Sequence, residues 1–146
     1  MGAYTPGRLM RAPVMLGMLL ALAMPGASAA AAPTVAAMKN HRRVLIVATP
    51  SFTDARLLQQ RRALAGWRGG AAARDLSLVE VSRSQVRGAD DTSRLIRRQW
   101  KLPPGQFQVV LVSKDGHEVL RSPRPVPARD LQRLIDAMPM RRAGQR

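Results

Sequence analysis

Val44-Leu-Ile-Val-Ala-Thr49 constrains the fold more than any other stretch. It is β-branched and almost continuously apolar, the pattern of a strand covered on both faces; a sheet with one wet face would alternate. The chain therefore needs a central sheet with helices on each side. Pro50, which cannot donate to a ladder, ends the strand. Residues 51–67 then read as a helix, with Ser51 and Asp54 spaced as a capping-box variant and Leu57, Leu58 and Leu64 on the inner face. Gly69 and Gly70 are expected to break it.

Residues 74–82 read as a second strand, carrying Leu76, Leu78, Val79 and Val81, and a loop follows. Residues 90–100 read as a short helix, since Asp90 and Asp91 suit a cap and the positive end of a helix dipole. After the rigid loop Leu102-Pro-Pro-Gly105, residues 107–122 form a hairpin with Asp115-Gly116 as its turn. Residues 127–139 are the clearest helix: Pro127 fits its first turn, and Leu131, Leu134, Ile135 and Met138 fall at i, i+3, i+4 and i+7. The order β-α-β-α-β-β-α predicts a three-layer α/β domain with a mixed central sheet. Two successive βαβ steps imply parallel strands with right-handed crossovers, and the hairpin adds an antiparallel edge.

The first 29 residues stand apart. Arg8 and Arg11 precede the apolar run Ala12–Gly26, and Ala27-Ser28-Ala29 is a small-x-small cleavage sequence, the layout of a signal peptide. The run is short of the roughly 20 apolar residues of a spanning helix. The expected organisation is a signal peptide over 1–29, a flexible leader over 30–40, one domain over 41–139 and a basic tail over 140–146. Export is expected, to a periplasm or to the exterior.

The chain carries 24 Lys and Arg against 9 Asp and Glu, a formal charge of +15 that falls by two on removal of the signal peptide. Such an excess suits an anionic partner; genomic bias toward Arg, of which there are 21 against 3 Lys, produces the same excess. There is no cysteine. That excludes disulfides, thiol catalysis, haem thioether attachment and cysteine-ligated zinc.

The stretches "FQVVLVSKDGHEVLRS", "LQRLIDAMPMRR" and "RVLIVATPSFTDARL", in that spacing, resemble a bacterial family catalogued as domain of unknown function 4174. The resemblance covers about residues 41–142. It implies a thioredoxin-like fold close to peroxiredoxins, an exported location, and kinship with DRO1-like and sushi-repeat secreted matrix proteins of animals, without an established activity. In peroxiredoxins the junction after the first core strand reads Pro-x-x-x-Thr/Ser-x-x-Cys. The corresponding spacing here is Pro50, Asp54 and Leu57, with Ser51 in the turn. These four residues mark a vestigial redox-site position in which leucine replaces the thiol.

No other nucleophile has an evident base. Ser51 and Thr53 could be activated only by His41 or His117, and neither has a reason to approach; both hydroxyls read as helix caps. Two isolated histidines and scattered carboxylates lack metal-ligand spacing, and no glycine-rich loop has phosphate-binding spacing, so no cofactor is implied. The arginine pairs Arg42-Arg43, Arg61-Arg62 and Arg97-Arg98 are the candidate anion contacts, because the guanidinium fork matches phosphate, sulfate and carboxylate. They form a footprint only if they share a face. With two Phe, two Trp and one Tyr there is little to stack on bases, which disfavours nucleic acid. Trp67 and Trp100, each at a helix end, read as core. The expected role is a non-enzymatic module that binds a protein or an anionic envelope or matrix polymer. The alternative is a redox accessory or enzyme using the fold without its own thiols.

Overall fold

The computed structural model describes residue 2, residues 30–139 and residue 144. Apart from residue 2, the signal peptide expected over 1–29 lies outside the described residues, as does nearly all of the basic tail. Among the described residues, no helix is long and apolar enough to cross a membrane.

The strand that dominates the sequence is the centre of the sheet. β1 (Arg43–Ala48) is buried at every position. It pairs in parallel with β2 (Leu76–Val81), Arg43 opposite Leu76 and Ala48 opposite Val81. On its other side it pairs with β4 (Gln108–Val112), Val44 opposite Val112. That second pairing is antiparallel, which corrects the expectation of two successive parallel steps: the chain returns from the second crossover running the opposite way. β5 (Glu118–Ser122) closes the hairpin on β4, and the two-residue β3 (Val86–Arg87) sits beyond β2, giving the order β3-β2-β1-β4-β5.

The side-chain period of two sends alternate β1 residues to opposite faces. Val44, Ile46 and Ala48 join Val79, Val81, Val110 and Val112 on one face, under α1 (Val35–Met38) and α4 (Ser93–Gln99). Leu45 and Val47 join Val109 and Leu111 on the other, under α2 (Ala55–Ala65), α3 (Arg68–Ala72) and α5 (Ala128–Asp136). Leu131 and Ile135 of α5 are fully buried there, as the helical spacing requires.

Four local expectations are corrected. The supposed flexible leader carries α1, whose Val35 and Met38 are buried in the core. Its Val35 N–H donates to Asp91 Oδ2 at 2.7 Å. Asp91 therefore ties down the leader, while Thr92 caps α4, accepting from Leu95 N at 3.3 Å. The first long helix begins later than expected and is capped by Asp54, which accepts from Arg56 N at 2.8 Å. Gly69 and Gly70 do not end helical structure; they lie inside α3. A Cβ on Gly70 would sit 1.8 Å from the Trp67 indole nitrogen, so the missing side chain is what lets Trp67 tuck beneath that helix.

Candidate functional site

β1 and β2 run parallel, so their carboxyl ends open on the same edge of the domain, where α/β folds place their ligand sites. Thr49 N–H donates to Val81 O at 2.9 Å, locking the two ends together. The turn that follows is built from its own hydroxyls. Thr49 Oγ1 donates to Ser51 O at 2.7 Å, Ser51 Oγ lies 2.7 Å from Thr53 Oγ1, and Thr53 N–H donates to Ser51 Oγ at 3.1 Å. Ser51 and Thr53 are exposed. Asp54 is held by Arg56 through Oδ1 at 3.0 Å and Oδ2 at 2.7 Å. The side-chain hydrogen bond from Arg56 holds its carboxyl below the usual value of 3.8, against a smaller opposing effect of burial.

Leu57, at the thiol position of the redox spacing, is fully buried among Leu45, Val47, Phe107 and Val109. The position is filled by the core. His41 precedes β1 and Ser51 follows it, which separates them by about 20 Å at strand rise. His117 belongs to the β4–β5 turn, 3.1 Å from Asp115. Neither histidine serves the turn hydroxyls. The described residues contain no cis peptide bond.

The arginine pairs do not make one footprint; in each, one member turns inward. Arg43 is 1% exposed and its Nη1 donates to Arg74 O at 2.8 Å. Arg61 forks onto Glu80 with two bonds of 2.6 Å. Arg97 Nη1 donates to Pro103 O at 3.1 Å, its Nη2 to Thr49 O at 3.4 Å and Val81 O at 3.5 Å, and its Nε to Ser93 Oγ at 3.3 Å. Arg42, Arg62 and Arg98 are the exposed members. Arg42 bonds the Ser77 hydroxyl.

Arg97 differs from the other two inward arginines in its place, at the carboxyl edge. Among the described residues its partners are carbonyls and a hydroxyl, with no carboxylate. Burial, and then the positive charge of Arg83, pulls its pKa below the ordinary guanidinium value. Arg83 stands in the turn after β2, where Ser82 N–H donates to Gln85 O at 2.9 Å. Arg87, on β3, stacks 3.9 Å from the centre of the Phe52 ring. Arg56 covers Phe107 at 5.1 Å. Arg97 thus reaches the backbone at the start of the turn, Arg87 the Phe52 ring within it, and Arg83 comes close enough to Arg97 to lower its pKa, while Asp54 is bonded to Arg56 and Glu80, opposite Arg87, to Arg61. The sequence pairs pointed to Arg97 alone of the three. Arg83 and Arg87 are single residues in what read as a loop, and only the two-residue strand brings them to the edge.

A mixed sheet with helices on both faces, and a strand–turn–helix junction at the carboxyl edge, define a thioredoxin-like α/β domain. Its fold is similar to that of the reduced 2-Cys peroxiredoxin of Plasmodium vivax: the TM-score is 0.55 at 14% identity, over 70% of this chain and 80% of that one. At that identity the likeness concerns the fold. Residues 34–144 match the family described as Domain of unknown function (DUF4174), and the chain belongs to that family. No curated protein matches it.

Proposed function

We propose that this chain is an exported, non-enzymatic thioredoxin-like domain that binds an anionic envelope or matrix polymer along the carboxyl edge of β1 and β2. The observation that carries the reading is Arg97, which reaches the Thr49 carbonyl with no carboxylate among its partners, flanked by Arg83 and Arg87. Guanidinium groups that make no ion pair among the described residues, beside a turn of exposed hydroxyls, offer charge and hydrogen-bond donors to sulfate, phosphate or carboxylate. The export half of the reading rests on Arg8, Arg11, the apolar run and Ala27-Ser28-Ala29. A redox role with a thiol of its own would need a cysteine where Leu57 is buried; a thiol-free accessory role at the Ser51–Asp54 turn is the second reading.

The test is binding of the chain to acidic glycans, lipopolysaccharide and teichoic-type polymers across a salt series, against a neutral polymer and an unrelated domain of equal charge. The reading predicts affinity above the equal-charge control for at least one polymer, falling steeply with salt as several contacts are screened. Binding no better than the control for every polymer would refute it.

A further inference from the structure

On a different part of the surface, beside the outer face of β2, lies a cavity of about 550 Å³. That size lies within the roughly 300–1,000 Å³ of small-molecule sites. Its origin is legible in the residues. Leu76, Leu78 and Glu80 share one face of β2 by strand alternation. β3 pairs only with Glu80 and Val81, so Leu76 and Leu78 lie on an uncovered edge. α3, which should roof them, is Arg-Gly-Gly-Ala-Ala. Its small residues leave Leu78 and Leu64 only half-buried, and Gly70 cannot be enlarged without striking Trp67. The floor is therefore apolar and under-packed.

The rim is cationic. Arg42, Arg61 and Arg68 line the same cavity with one carboxylate, Glu80, and that carboxylate is saturated by the Arg61 fork. Arg42 uses its Nε on the Ser77 hydroxyl and lies near enough to the Asp75 carboxylate, itself bonded to Lys114, to help lower its pKa, and Arg68 makes no ion pair among the described residues. An apolar floor under a cationic rim, in which Arg68 has no ion-pair partner among the described residues and Arg42 shares Asp75 with Lys114, is complementary to one kind of occupant: a small amphiphile with an alkyl body and a single anionic head. We propose that this groove binds such a molecule, the chain lying on Leu64, Leu76 and Leu78 and the head meeting Arg42 and Arg68. The site is independent of the carboxyl-edge reading.

The test is titration of the full chain with decanoate below its micellar concentration, read by calorimetry and by amide shifts, beside decanol and butyrate. Decanoate should bind one to one and shift Leu64, Ala71 and Leu78. Decanol, without the head, and butyrate, without the body, should each bind at least tenfold more weakly. The double variant Arg42→Glu with Arg68→Glu should lose at least tenfold for decanoate. The single Arg68→Gln, an exposed change that leaves the helix intact, should lose severalfold. Absence of saturable decanoate binding, equal affinity for decanol, unchanged affinity in the folded Arg68→Gln protein, or shifts confined to other residues would each overturn the proposal.

Discussion

Placing a cysteine at Leu57 tests whether the core closes the position that the Pro50–Leu57 spacing matches to a peroxiredoxin thiol. Leu57 is wholly buried, in the first turn of α2. Leu57→Cys removes about two carbon groups' worth of packing. At ~0.8 kcal/mol for each buried group, plus a small cavity cost, the loss is roughly 2 kcal/mol. The new thiol would sit in apolar surroundings, which raise its pKa and starve it of thiolate. Reagent reaches it only when the helix start opens. An opening free energy of about 3 kcal/mol already slows reaction by about a hundredfold. Ser51→Cys, six residues away on the exposed turn, is the internal control. Alkylation with iodoacetamide at pH 8 should run at least about a hundred times slower for Leu57→Cys than for Ser51→Cys. Leu57→Cys should consume no hydrogen peroxide above the unmodified chain. Rates within about tenfold of each other, or peroxide turnover, would refute the claim that the core fills this position.

Other consequences concern stability. Gln60 is fully buried, its Nε2 donating to Val126 O at 3.0 Å and its Oε1 accepting from Val126 N at 2.7 Å. Gln60→Ala strands both backbone groups and should cost about 2–4 kcal/mol in urea unfolding, while exposed Gln59→Ala changes stability by under about 0.5 kcal/mol. Gly70→Ala should destabilise by about 1–3 kcal/mol through the Trp67 clash, whereas Gly69→Ala, with open space at its Cβ, should stabilise by roughly 0.5–1 kcal/mol; thermal unfolding separates the signs. The hydrogen bond from Lys114, at 2.8 Å, holds the Asp75 carboxyl below 3.8. A carboxyl lowered by folding contributes stability above its unfolded pKa and loses it as pH falls through the folded one. Asp75→Asn should therefore cost roughly 1–2 kcal/mol at pH 7, less than for a fully buried pair because Asp75 is about one-third exposed, and the gap to the unmodified chain should narrow below about pH 3.8.

The sheet and its two covering layers were readable because their signals are regional. Six consecutive buried residues of β1 and the spacing of Leu131, Ile135 and Met138 each repeat one message. What was not readable depends on single residues meeting across the fold. Asp91 read as a cap because it precedes a helix, but its partner, Val35 N, lies 56 positions away. The direction of β4 is set by how the chain returns from α4, which no local pattern encodes. Gln60 was visible in principle: Leu57, Gln60 and Leu64 fall at i, i+3 and i+7, so the inner face of α2 includes it. At the carboxyl edge, the turn residues Pro50, Ser51 and Asp54 could be placed from spacing. The arginine pairs could not be, since adjacent helix or strand residues point in different directions, and each pair was split between interior and surface.

The carboxyl-edge account separates position from net charge, and one comparison does the same. Arg83→Glu with Arg87→Glu changes the edge. Lys39→Glu with Arg133→Glu makes the same change in net charge away from it, Lys39 lying beside Gly116 in the β4–β5 turn at the opposite end of the sheet and Arg133 on the outer side of α5. The measurement is the affinity of both double variants for the polymer that the chain binds best, at physiological ionic strength. The account predicts a loss of at least tenfold for the edge variant and under threefold for the distal one. Equal losses would mean that the polymer senses only overall charge, and would contradict a built anion site at the ends of β1 and β2.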